Sequence, residues 1–290
     1  MYGIQARNTT MSYWKSAWVG LLSLAAVTLC TIPAVAHQLW IETDVAAKVG
    51  KEQEIRVCWG HSGSKETGEA LEGLGSKLSA LIVGPDGGTE VLELAKGYDS
   101  YMAKITPNSP GYYMIGSELQ VGIINEELYG IPANTRIVMY GKSFSHVKGN
   151  EKSLSNKLGF DLEIVPLTDP RNLHPGDIAT AKVLFKGKPM GGRNVVVSLK
   201  TVGSEEFPED PKVHSREWSI EVHPERQNGE ACFPLIVDGQ HLFYIAYFDE
   251  NPGKYEGDIN ESSEFSHLRK GDIYERTMYV STFTIDVKAK

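Results

Sequence analysis

The sequence predicts an all-β protein, two immunoglobulin-like β-sandwich domains following a cleaved signal peptide. Three observations lead there. Short runs rich in Val, Ile, Tyr and Thr recur along the chain after residue 37. Clusters of Gly, Pro, Asp and Asn separate them at intervals of roughly eight to twelve residues. Long stretches with apolar residues at the 3.6-residue helical period do not occur.

The first element is a targeting segment. Met11 opens it, Lys15 supplies the positive flank, and Trp18–Cys30 (WVGLLSLAAVTLC) is its apolar core. Ala34-Val35-Ala36 then places small residues at a cleavage site. The apolar run is shorter than the about 20 residues that anchor a helix in a bilayer, and no second such run follows. Leu29 stands where a lipoprotein signal would need a small residue before Cys30. Cleavage after Ala36 is expected to leave a soluble product without a membrane anchor, periplasmic or otherwise secreted, with His37 first. That product carries 27 basic against 37 acidic residues, a net charge of −10. Such a balance argues against nucleic acid and suits cations.

The first domain is expected over residues 37–152. Its strands include Glu54–Trp59, Leu78–Val83, the Gly111–Ile115 stretch after the Pro107–Pro110 turn, and Arg136–Tyr140. Lys65–Lys77 has room for a short helix, which its three glycines weaken. The polar segment Lys148–Lys157 marks the boundary. The second domain, 153–290, offers seven strands: Leu162–Val165, Ile178–Phe185, Asn194–Lys200, Trp218–Val222, Ala231–Val237, His241–Tyr247 and Thr277–Val287. That number suits an immunoglobulin-like sandwich. Phe248–Gly271 reads as a long acidic loop without regular pattern.

Chemistry-bearing residues are few. The chain lacks Gly-x-Ser-x-Gly, His-Glu-x-x-His and a phosphate-cradling glycine loop, so it is not expected to be an enzyme. Cys58 and Cys232 lie in apolar strands, open to three readings: an inter-domain disulfide, two buried thiols, or a shared metal site. Histidines carry the better signal. A free α-amine on His37 together with its own Nδ1 closes a six-membered chelate on Ni²⁺, Co²⁺ or Cu²⁺. His61 sits in the glycine-flanked turn Gly60-His61-Ser62-Gly63. His146 and His267 are the further candidate ligands. His174, His214 and His223 read as solvated, and His241 as packed. The acidic loop lacks the Asp-x-Asp-x-Asp spacing of a Ca²⁺ site and reads as a solvated charge run.

Ala36-His37-Gln38-Leu39-Trp40, then Leu158-Gly159-Phe160-Asp161-Leu162-Glu163-Ile164-Val165-Pro166-Leu167-Thr168-Asp169-Pro170 and Phe185-Lys186-Gly187-Lys188-Pro189-Met190, carry a resemblance. The chain resembles a bacterial periplasmic family once described as a domain of unknown function and associated with nickel uptake. Asp161 departs from it, the family pattern having Pro there. The resemblance implies an exported β-rich protein that accompanies a nickel/cobalt permease of the energy-coupling-factor type, with His37 and His61 as ligands. The expected function is therefore a periplasmic metal-binding accessory protein. Its rivals are a metal-free protein- or glycan-binding module, with Tyr112, Tyr113 or Tyr255 as exposed contact residues, and a copper enzyme built on a histidine brace.

Overall fold

The computed structural model describes residues 37–61, 64–149, 152–192, 197–202 and 219–290. The expected signal peptide, its cleavage site and His214 lie outside them. The described residues form one compact unit. No helix among the described residues is long and apolar enough to cross a membrane.

The principal strands, in chain order, begin with β1 (Gln38–Thr43), β2 (Gln53–His61), β3 (Ser64–Lys65) and β4 (Leu78–Val83). β5 (Thr89–Leu92), β6 (Tyr101–Ile105), β7 (Gly111–Ile124) and β8 (Thr135–Val147) follow. After them come β9 (Leu162–Pro166), β10 (Ile178–Phe185), β11 (Val197–Val202) and β12 (Ser219–Val222). β13 (Glu230–Pro234), β14 (Gly239–Asp249), β15 (Ser266–Leu268) and β16 (Arg276–Val287) complete the set. The short helix between β3 and β4 forms over Gly68–Glu72. The Phe248–Gly271 loop is more regular than its composition suggests, since Gly253–Lys254, Glu261–Ser262 and β15 all pair as strands.

These strands build three layers. An N-terminal sheet sets β1 and β6 on either side of β2. A large middle sheet runs β12-β11-β14-β16-β8-β7-β15, with β4 paired to both β7 and β5. A smaller sheet carries β9 and β13 on either side of β10. Lys186 (φ 49°) and Gly187 (φ 75°) turn the hairpin from β10 to Lys188–Pro189, both in the left-handed region that such two-residue turns require.

The middle sheet explains why its strands lack clean alternation. Ile137 and Met139 of β8 and Met278 and Val280 of β16 pack with Leu39, Ile41, Ile55 and Val57 of the N-terminal sheet. Val138, Tyr140, Tyr279 and Phe283 enter a second core with Ile164, Val183 and Phe233 of the smaller sheet. A sheet covered on both faces demands apolar side chains at odd and even positions alike. The expected boundary at residue 152 falls between β8 and β9. Strands from both sides of it share this sheet, because β8 pairs in parallel with β16 from Thr135↔Arg276 to Lys142↔Phe283.

Cys58 and Cys232 are both free thiols. They belong to sheets on opposite sides of the middle one. Packed sheets lie about 10 Å apart, so the two Cα atoms are far beyond disulfide reach, which closes both the bridge and the shared-metal readings. Only Cys58 is core; Cys232 is exposed, on the outer side of β13, a correction to the two-buried-thiols reading.

Candidate functional site

β1 and β2 run antiparallel with Gln38 opposite Gly60 and Leu39 opposite Trp59. One step further along that register, His37 and His61 are next in line on adjoining strands. The alternation Leu39, Ile41 on β1 and Ile55, Val57 on β2 drives one face into the core and fixes this register. On the other edge of β2, β3 folds back with Gly60 opposite Lys65. The N–H of Glu66 then donates to the Trp59 carbonyl at 2.8 Å.

His37 from one side and Glu66 from the other meet over Trp59. The imidazole stacks on the indole, ring centroids 4.2 Å apart and 18° from parallel. Its Nε2 lies 2.9 Å from Glu66 Oε1. Both side chains are about 30% exposed, so the pair is ordered yet open to solvent. The Trp59 indole N–H is buried with no hydrogen-bond partner among the described residues.

The strand edge that presents Glu66 is clamped next door. Lys65 Nζ donates to Glu42 Oε2 of β1 at 2.6 Å and lies 3.5 Å from Asp99 Oδ2. Glu42 also accepts from the Trp40 indole at 3.1 Å. Beneath this cluster, Cys58 packs with Trp40 and Leu242. Burial pushes its thiol far above the usual range, so it stays protonated and offers no thiolate ligand.

The other two candidate ligands stand elsewhere. The backbone N–H of His146 bonds to the Val45 carbonyl, beyond the far end of β1. Six extended residues separate that end from His37, roughly 20 Å of strand. His146 is buried, tilted against Tyr112 at 4.5 Å, with Arg171 Nη1 3.1 Å from its Nδ1. His267 is in β15 at the opposite edge of the middle sheet, its Nδ1 2.7 Å from Asn125 Oδ1 and its Nε2 3.6 Å from Asp272. The structure thus brings His37 and His61 to neighbouring backbone positions and leaves His146 and His267 apart from them. Among the described residues, no three His, Cys, Asp or Glu side chains converge as a metal cage.

Other sequence expectations sort themselves by burial. His241 is packed, 2% exposed, with its Nδ1 at 2.9 Å from the Gly239 carbonyl. Tyr112, Tyr113 and Tyr255 are corrections: at 1%, 7% and 6% exposure they are core residues and cannot carry a surface contact. Sequence reasoning missed Glu66 and Trp59. Glu66 sits in the polar Lys65–Lys77 stretch, where nothing local distinguishes it from its acidic neighbours.

Residues 34–249 match the model of a domain of unknown function, DUF4198. The chain belongs to that family. No curated protein matches this DUF4198 chain. Among solved structures it is similar to a DUF4785 family protein from Legionella pneumophila, at 12% identity and a TM-score of 0.24. That match covers 71% of this chain and 50% of the Legionella protein. It is also similar to the Escherichia coli alpha-2-macroglobulin activated by porcine elastase, at 10% identity and a TM-score of 0.25, over 87% of this chain and 20% of the other. The DUF4198 chain therefore spans half or less of either relative's length.

Proposed function

We propose that this DUF4198 protein is an exported binding protein, not an enzyme, that captures Ni²⁺ or Co²⁺ through His37 for a membrane permease. One contact supports the reading above all: Glu66 engages Nε2 of the His37 ring. Imidazoles that hold a metal characteristically give their second ring nitrogen to a carboxylate, which fixes the tautomer and orients the ring. With Nε2 so engaged, the nitrogen facing the metal is Nδ1. That is the nitrogen which closes a six-membered chelate with the α-amine of the same residue once the chain is cut after Ala36. His61, next in register, is the second imidazole.

A nitrogen donor set suits Ni²⁺, Co²⁺ and Cu²⁺, and intrinsic affinity runs highest for Cu²⁺, so the cargo is decided by supply and by the permease. The resemblance to nickel-uptake proteins favours Ni²⁺ or Co²⁺. Partial exposure of the pair suits transfer by ligand exchange, since an incoming donor has access. Periplasmic location follows from the expected signal peptide.

Calorimetric titration of Ni²⁺, Co²⁺ and Cu²⁺ into chelator-stripped protein beginning at His37 tests this, beside a form with one additional N-terminal residue. One-to-one binding that the extra residue abolishes is the expected result. Equal binding by both forms, or none by either, would overturn the site.

A further inference from the structure

An open groove of about 500 Å³ on the middle sheet is lined by Lys77, Glu118, Gln120, Arg136, Tyr255 and Ile259 among others. We propose that this groove binds a small organic monocarboxylate, held by Arg136 and Lys77.

The argument starts from charge pairing. The chain has more acidic than basic residues, and cations near the groove have found partners: Lys254 lies 3.3 Å from Glu256, and Arg276 lies 3.0 Å from Glu250. Arg136 and Lys77 have no carboxylate at ion-pair distance among the described residues. Of the five N–H donors of Arg136, one bonds Gln120 Oε1 at 2.8 Å, while Nε is buried without a hydrogen-bond partner among the described residues. Lys77 is partly buried; among the described residues its ammonium has one hydrogen-bond partner, the Val121 carbonyl at 3.5 Å, and Glu261 acts on its charge from beyond ion-pair distance. Two under-satisfied cations thus share one opening.

The groove also says what kind of anion fits. Arg136 is held between the Tyr255 and Tyr274 rings, 5.6 and 5.5 Å from their centroids. This stacking spends the faces of the guanidinium and keeps its edge for a planar oxyanion. Glu118, tied to Gln120 by a hydrogen bond, and Glu256 also line the groove. Their charges disfavour a phosphate dianion and tolerate a single negative charge. Ile259 and Leu78, both half-buried in the groove lining, supply apolar surface for the body of the ligand. Nothing in this site depends on His37 or on a metal.

The test is an NMR titration of the chelator-stripped protein with benzoate, acetate and inorganic phosphate in turn. Benzoate is expected to give saturable shifts at groove residues and to bind more tightly than phosphate. Arg136→Gln is expected to weaken it about tenfold or more, the loss of a charge-assisted hydrogen bond. Lys77→Gln should weaken it severalfold, and His37→Ala should not change it. Should Arg136→Gln fail to fold, having lost its contacts to two tyrosines, Lys77→Gln at the groove rim decides alone. The proposal is overturned if benzoate gives no saturable shift up to roughly 20 mM, where millimolar affinity would already saturate. Tighter binding of phosphate, or wild-type affinity in the folded variants, would overturn it equally.

Discussion

Lys142 on β8 and Glu163 on β9 form an ion pair sealed from solvent, Nζ 2.6 Å from Oε1, with side chains 1% and 2% exposed. The pair joins the middle sheet to the smaller one. Glu163 also accepts the N–H groups of Leu158 at 2.8 Å and Gly159 at 3.2 Å. Burial pulls the Lys142 ammonium below its usual range, and Glu163 opposes that pull.

Breaking this pair from either side is expected to be costly. Lys142→Met leaves a buried carboxylate uncompensated and should lower stability by about 3–5 kcal/mol. Glu163→Leu should cost more, because it strands the ammonium and two backbone donors together. Urea denaturation of the two variants gives the order, and the reverse order would mean the backbone bonds matter less than the charge.

Glu66→Gln probes the metal reading without touching a ligand. Its expected effect is a loss of about 10–100-fold in metal affinity, as for other outer carboxylate partners of ligating histidines. The metal-free protein should unfold nearly as before, since a solvent-open side-chain pair contributes at most about 1 kcal/mol. Calorimetry and thermal melts on the same samples separate the two effects.

His241 makes stability depend on pH. Burial holds its imidazole below the ordinary value of 6.5, with the Gly239 carbonyl opposing only in part. The unfolded chain therefore binds a proton that the folded chain refuses. Stability from this group is complete above pH about 6.5 and is lost as pH falls from there toward the depressed folded value. His241→Phe should flatten the fall in denaturation midpoint between pH 7 and 5, and an unchanged slope would exclude His241 as its source.

Cys58 and Cys232 should differ in reactivity. Cys232 is exposed and Cys58 is buried with a raised thiol pKa. In protein beginning at His37, a chromogenic disulfide reagent is expected to titrate one thiol per native chain and two after denaturation. Two reactive thiols in the native state would contradict the packing around Trp40 and Leu242.

Strand positions were written plainly in the sequence. Leu78–Val83 and Ile178–Phe185 form strands over the residues expected, because turn residues bound them on each side. Pairing was not legible. Val138-Met139-Tyr140 and Met278-Tyr279-Val280 signal strands buried on both faces, yet no local pattern says that they lie side by side. The same limit governs the site. His37 could be picked for the chemistry of a terminal histidine, and His61 for its glycine turn. Glu66 reaches His37 only because β3 folds back on β2, a contact 29 residues from His37 in sequence.

The pairing of β8 with β16 also makes the halves of this protein mutually dependent. The last strand fills a slot between β8 and β14, so its side chains complete both hydrophobic interiors at once. A chain halted before residue 276 would have the inner layer open along its length, with two unsatisfied strand edges facing one another. Both interiors therefore close only once residues 276–287 are in place. Cutting the chain at residue 152 would part β8 from the neighbour it pairs with over eight residues.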